Sequence, residues 1–223
     1  MESRHRAEKN DRLASSMARS IRYGDDNKSA NSRLCRGMNR FVIQKTPIDD
    51  LQVIQRLPNG DARGYFERMF CSDELKPIIG QRSIVQINHT LTRNRGTVRG
   101  MHFQRPPNAE VKLVSCLRGE VFDVAIDLRK GSSTFLQWHA EVLSEWNHKT
   151  FLIPEGFAHG FQALTKDCEL LYMHTSKYAP EAEAGLNALD PKLSIQWPLA
   201  ITERSSRDVQ HSMLTRDFSG ITV

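Results

Sequence analysis

The sequence predicts an all-β fold, a sandwich or barrel whose strand spacing fits a jelly roll with a few short helices. Three observations predict it. From about residue 41, short apolar runs recur between turns built on Gly, Pro and Asn. Within them Phe122, Val124, Ile126 and Leu128 alternate with Val121, Asp123, Ala125 and Asp127, a period of two with one buried and one more polar face. Helix is expected only in short pieces, such as Ser72 to Pro77.

The elements follow in chain order. Phe41-Val42-Ile43 opens the first strand, and Arg99-Gly100-Met101-His102-Phe103-Gln104 is extended. Strict alternation there puts Arg99, Met101 and Phe103 on one face and Gly100, His102 and Gln104 on the other, one of them facing a barrel lumen. Val111 to Leu128 reads as two strands around a turn at Arg118-Gly119. Gly131-Ser132-Ser133 breaks the chain, and Phe135 to Val142, Phe151 to Ile153 and Leu170 to His174 supply further strands.

The chain has 223 residues, 39% hydrophobic and 26% charged, enough for one domain with a real core. Its net charge of +5 is unevenly spread. Residues 1–40 hold ten of the 31 basic and five of the 26 acidic residues, so the remaining 21 of each cancel. Residues 1–38 are polar and aperiodic and read as a disordered basic extension, with the folded domain over 39–223. Nucleic-acid binding is not expected from this balance. Met38 lies three residues before the first strand and is a second candidate start of translation, a point that mass spectrometry of the native protein decides.

No apolar run approaches the roughly 18 residues of a membrane span, and the N-terminus lacks the apolar core of a secretory signal. An organelle-targeting reading of the Arg- and Ser-rich extension is opposed by Glu2, Glu8, Asp11, Asp25 and Asp26. Cys35, Cys71, Cys116 and Cys168 are far apart with no C-x-x-C pair, and read as free thiols. A cytoplasmic protein is the expectation.

Several residues stand out chemically. Lys112 heads an apolar strand; it either points inward, which demands a partner or a job, or snorkels outward. His159 lies between glycines and two phenylalanines in Gly156-Phe157-Ala158-His159-Gly160-Phe161, as a structural or a functional imidazole. Tyr172 sits on a strand as packing or as an acid. Jelly rolls often hold metals, but His102 is followed two residues on by Gln104 and no H-x-H occurs, so neither a metal nor another cofactor is expected. P-loop and G-x-G-x-x-G fingerprints are absent.

Taken together, these blocks resemble the dTDP-4-dehydrorhamnose 3,5-epimerase family. The resemblance is carried by Asp61-Ala62-Arg63-Gly64-Tyr65-Phe66, Gln86-Ile87-Asn88-His89, Val98-Arg99-Gly100-Met101-His102-Phe103-Gln104 and Lys112-Leu113-Val114. It continues through Gly119 to Val124, Ile126 to Arg129, Ser133-Thr134-Phe135, Ile153 to Phe161 and Asp190-Pro191 before Trp197-Pro198. Each block is weak alone, while their order and spacing over about 41 to 220 are specific.

The resemblance implies a metal-free cupin-type jelly roll, usually a homodimer, acting on a nucleotide-linked 4-keto-6-deoxy sugar for deoxysugar or polysaccharide synthesis. It implies His102 as base, Asp208 as its dyad partner, Tyr172 as the acid on the opposite face and Lys112 near the enolate oxygen. Arg63, Gln86, Asn88, Arg99, His159 and Tyr178 match substrate-binding positions. The chemistry needs such groups, because a C–H beside a carbonyl becomes acidic only when its charge spreads onto oxygen. A cation aimed at that oxygen is worth roughly 3–4 kcal/mol. An imidazole, with an unperturbed pKa of about 6.5, suits the base, and forked Arg donors suit a pyrophosphate.

The chain departs from the family pattern at Glu67-Arg68 and at Ala188-Leu189, and Asp208 aligns after a small gap. The nucleotide base, the sugar's hydroxyl pattern and the number of inverted carbons therefore stay open. A mono-epimerase or ketoisomerase on a dTDP- or CDP-sugar and a non-catalytic sugar-binding jelly roll are the alternatives.

Overall fold

A computed structural model describes residues 39–223. The expectations for residues 1–38, including Cys35 and the second start at Met38, lie outside the described residues. The strands run β1 Phe41–Lys45, β2 Gln52–Arg56, β3 Asn59–Asp61, β4 Gly64–Phe66, β5 Gln86–Thr92, β6 Val98–Gln104 and β7 Lys112–Arg118. They continue with β8 Glu120–Asp127, β9 Trp138–Ser144, β10 Lys149–Ile153, β11 Phe157–Ala163, β12 Cys168–His174 and β13 Glu183–Gly185. Two helices, α1 Ser72–Ile79 and α2 Ser206–Gln210, complete the list. No helix among the described residues is long and apolar enough to cross a membrane.

Two antiparallel sheets face each other, ordered β1-β2-β10-β7-β12-β5 and β13-β6-β11-β8-β9, with β3-β4 as a separate hairpin. This is the expected jelly-roll class. One core lies between the sheets, where Val53, Val114, Phe151 and Leu170 meet Val121, Ala125, Leu143 and Phe161. A second backs the five-stranded sheet, where Met101, Val124 and Ile126 pack under the C-terminal segment through Leu193, Leu214 and Trp197. A third backs the six-stranded sheet, where Leu75 and Ile79 of α1 cover Leu113, Leu152 and Met173. Leu75 and Ile79 stand one helical turn apart, so the helix runs past Pro77 to Ile79 to seat both.

Burial on both faces corrects the reading of β8. Asp123 and Asp127 are fully buried, so its polar face turns inward rather than to solvent. Asp127 is satisfied there by Arg129, Ser132 and Thr134. The expected strand at Phe135 to Val142 begins only at Trp138. Leu136 adopts a left-handed φ of 61° and closes a turn onto the Asp127 carbonyl, while Phe135 stacks on Phe218.

The faces of β6 also differ from strict alternation. His159 pairs with His102 but Phe161 pairs with Arg99, so β6 carries an extra residue across this stretch. The bulge holds Gly100 at a φ of 120°, and a Cβ there would meet the Gly160 Cα at 2.6 Å. The shift of phase brings Arg99 and His102 to the same cavity, while Met101 is buried in the core behind the sheet.

Candidate active site

The cavity lies between the two sheets, and each sheet contributes one wall. Arg99 and His102 of β6 and His159 of β11 line it from the five-stranded sheet. Asn88 and Thr90 of β5, Lys112 of β7, and Tyr172 and His174 of β12 line it from the six-stranded sheet. Tyr178, Glu183 and Arg207 close one end. This hollow of about 230 Å³ shares Arg99, His102 and Arg207 with an adjoining one of about 570 Å³ lined by Arg93, Glu203 and Asp208. Together they have the size of a small-molecule site.

His102 Nε2 lies 2.6 Å from Asp208 Oδ1, a short charge-assisted hydrogen bond. Asp208 is fixed by local sequence: the Ser205 hydroxyl caps α2 by accepting from the Asp208 backbone N–H. Burial alone would raise the Asp208 carboxyl, but the His102 bond and charge and the Gly100 N–H outweigh it and hold it below the usual range. The carboxylate thus fixes the imidazole and leaves Nδ1 as its free nitrogen.

Lys112 points inward. It is 8% exposed, its Nζ lies 3.3 Å from Glu110 Oε1, and it donates to the His102 carbonyl at 3.4 Å. Glu110 also binds His174 Nδ1 at 2.8 Å. Burial works against its charge, yet His174 and Lys112 prevail and keep its carboxyl below the ordinary value. The Tyr172 phenol is pushed well above its ordinary value, first by burial and then by the Asp123 charge, so it holds its proton at neutral pH. Its ring stacks on His174 at 6.0 Å and meets His159 edge-on at 6.0 Å.

His159 is neither bonded to a carbonyl nor idle. Its Nε2 pairs with Asp123 Oδ1 at 2.7 Å, and both are buried. Burial raises the Asp123 carboxyl against the pull of His159. Gln86 stands at the rim, where its Oε1 accepts from the Tyr178 N–H and its Nε2 donates to Asn88. Tyr178 donates to Glu183, which also accepts from Arg207.

Arg63 is not brought to this cavity. It sits at the tip of the β3-β4 hairpin, 89% exposed and paired with Asp61. The hairpin turns through Gly64 at a φ of 133° and carries Tyr65 and Phe66 into solvent.

Sequence reasoning missed Glu110, Asp123, His174 and His211. Period two is the signal that could have found the first three, since Glu110 is two residues from Lys112, His174 two from Tyr172, and Asp123 lies in the alternating run. His211 carries no such signal. Among the described residues, His102, Asp208 and His211 form the one trio whose possible metal-ligating atoms lie within 4.8 Å of each other. The 2.6 Å contact between the first two is a hydrogen bond, so their donors are engaged with each other.

Residues 45–216 match the family model described as dTDP-4-dehydrorhamnose 3,5-epimerase. The chain is 40% identical over 176 residues to the dTDP-4-dehydrorhamnose 3,5-epimerase of Salmonella typhimurium, covering 78% of this chain and 96% of that protein. It is similar to the dTDP-6-deoxy-D-glucose-3,5-epimerase of Legionella pneumophila, solved in complex with dTDP-4-keto-L-rhamnose. That match has a TM-score of 0.74 and 40% identity over 78% of this chain and 92% of the other. A 3'-monoepimerase from Streptomyces bikiniensis, solved with dTDP-quinovose, is 30% identical with a TM-score of 0.71, covering 75% of this chain and 85% of that one.

Proposed function

The chain belongs to the dTDP-4-dehydrorhamnose 3,5-epimerase family, and from that premise we propose that it inverts C3 and C5 of dTDP-4-dehydro-6-deoxy-D-glucose through its two-walled cavity. The observation that carries the reading is the placement of His102 and Tyr172 on opposing sheets. A sugar ring held between them meets a base on one face and an acid on the other.

His102 Nδ1 takes the proton beside the C4 ketone, and the electron pair left on carbon moves onto the C4 oxygen. Lys112, itself largely buried, stabilises that charge as it develops. Asp208 stabilises the imidazolium without taking part in the bond change at carbon. Tyr172 returns a proton to the opposite face, and its raised affinity for the proton makes it an acid that gives up its hydrogen only to a strongly basic enolate. Arg99 and Arg207 supply charge for the diphosphate. Asn88, His159 and Tyr178 hold the sugar and the nucleoside.

The protein works as a homodimer in this reading. Val85, Ile87 and Leu91 are exposed along and beside the edge strand β5, and Arg63 with Tyr65 and Phe66 stands on an exposed hairpin. A second copy docked on that edge covers the apolar side chains and delivers Arg63 to its neighbour's substrate. The free Cys71, Cys116 and Cys168 fit the cytoplasm.

The test is product analysis by NMR with the purified protein and dTDP-4-dehydro-6-deoxy-D-glucose. The expected product is dTDP-4-dehydro-L-rhamnose, lost on His102→Ala. The similarity to a 3'-monoepimerase favours one second reading, in which C3 alone inverts; the same spectrum identifies that product.

A further inference from the structure

Giving a proton from Tyr172 to carbon creates a second anion. As the enolate collapses to the ketone, its negative charge moves to the phenol oxygen between the sheets. Burial and the Asp123 carboxylate both oppose that charge. Some group must hold the phenolate that remains.

β5 supplies one. Where β5 pairs with β12, Asn88 lies opposite Tyr172 and Thr90 lies opposite Leu170. Residues paired directly share a face, so all four turn inward, while Ile87, His89 and Leu91 on the other face are exposed. Thr90 is thus the diagonal neighbour of Tyr172, within reach of an aromatic side chain. Both residues line the cavity.

The Thr90 hydroxyl is an orphan. Its Oγ1 is sealed from solvent and has no hydrogen-bond partner among the described residues. Leu170 opposite it is fully buried and offers nothing polar. Such a hydroxyl costs stability, and valine fills a strand position without that cost. The hydroxyl nevertheless acts on Tyr172, because it favours the ionised phenol over the neutral one. In the resting state the two groups are unbonded, whereas a phenolate accepts from a hydroxyl. The contact gains strength as the proton leaves, and only interactions of that kind speed a step.

The other polar groups around the ring are committed elsewhere. Arg99 of β6 favours the phenolate by its charge, while Asp123 of β8 and Cys116 of β7 oppose it. His159 of β11 is bonded to Asp123. His174 of β12 is bonded to Glu110 and Asn88. Lys112 of β7 is held by Glu110 and the His102 carbonyl. Thr90 is the uncommitted donor.

We infer that Thr90 is a positioning residue for Tyr172, its hydroxyl donating to the phenolate formed when the ring is protonated; this rests on the epimerase reading. In that step the Tyr172 O–H bond breaks, and its proton forms the new C–H bond with the electron pair of the enolate carbon. The C4–O bond becomes a carbonyl again, and the electron pair of the broken O–H stays on the Tyr172 oxygen. Thr90 keeps its own proton and shares it as a hydrogen bond.

The experiment compares the wild type with Thr90→Val, which keeps the shape without the hydroxyl, and Thr90→Ser, which keeps the hydroxyl. Each is melted and then assayed in deuterium oxide, with NMR of recovered substrate and product. Thr90→Val should melt at or above the wild-type temperature, since an apolar group replaces an orphaned hydroxyl. KM should stay unchanged, and deuterium should still enter the substrate, now with retained configuration. Inverted product should fall by about 10- to 100-fold, the range for one hydrogen bond to a charged group. Thr90→Ser should restore it. A lower melting temperature with equal loss of exchange and inversion marks a structural threonine and overturns the inference. So does a raised KM with kcat kept, which marks a substrate contact. Unchanged inversion in Thr90→Val, or a serine that restores nothing, overturns it as well. A wild type that exchanges no carbon-bound hydrogen overturns instead the epimerase reading beneath it.

Discussion

Lys112→Met separates what the lysine does for the fold from what it does for the reaction. Its ammonium is the partner of Glu110 at 3.3 Å, and both side chains are about nine-tenths buried. Removing one member of a buried pair costs about 3–5 kcal/mol. His174 still holds Glu110 at 2.8 Å, which places the loss at the lower end. About 3 kcal/mol lowers the melting temperature of a domain this size by roughly 6–12 °C.

Removing Glu110's charge as well, in Lys112→Met/Glu110→Gln, removes the orphaned carboxylate and should restore most of that stability. The chemical step responds differently. Loss of a group aimed at the developing oxyanion costs about 10²–10³ in kcat, and the second substitution returns none of it. Urea denaturation and initial rates of epimerisation, measured on the wild type and both variants, give the two numbers. Recovery of turnover together with stability in the double variant would refute the enolate role and leave Lys112 as a structural cation.

Tyr172→Phe removes the proposed acid and keeps the proposed base, His102. Solvent deuterium is expected to enter the substrate with retained configuration, while inverted product falls by about 10²-fold or more; NMR of recovered substrate reads both, and full inversion by this variant contradicts the assignment. Asp208→Asn should lower kcat by about 10³–10⁴, as loss of the carboxylate behind a catalytic imidazole does elsewhere. The same variant has a signature in acid. A folded-state pKa below the unfolded value means that Asp208 stabilises the fold fully above about 3.9 and ceases to as pH falls through its lowered value. Acid titration followed by circular dichroism should show that contribution being lost in the wild type as pH falls below about 4, and no such loss in Asp208→Asn.

The strand character of the chain was legible because alternation and turn residues are local signals. The helix at Ser72 was legible too, though its end at Ile79 is set by packing against the sheet. The site was legible where its residues fall in ordered motifs. His102, Lys112, Tyr172, Arg99, Asn88, His159 and Tyr178 all line one cavity, with Asp208 bonded behind His102 and Gln86 beside Tyr178. The phase of β6 was not legible, because the Gly100 bulge depends on the approach of Gly160 from β11. Neither was the burial of Asp123, since both sheet faces are covered by segments distant in sequence. His211 gave no local signal at all; only the return of the C-terminal segment beside β13 places it near the dyad.

The central claim is that hydrogen bound to carbon is removed on one wall of the cavity and replaced from the other. The most direct measurement is turnover of dTDP-4-dehydro-6-deoxy-D-glucose in deuterium oxide, with the product read by proton NMR and mass spectrometry. The account predicts one solvent deuterium at C3 and one at C5, both in the inverted configuration. Inverted product that keeps its original hydrogens, or no exchange at either carbon, would contradict it.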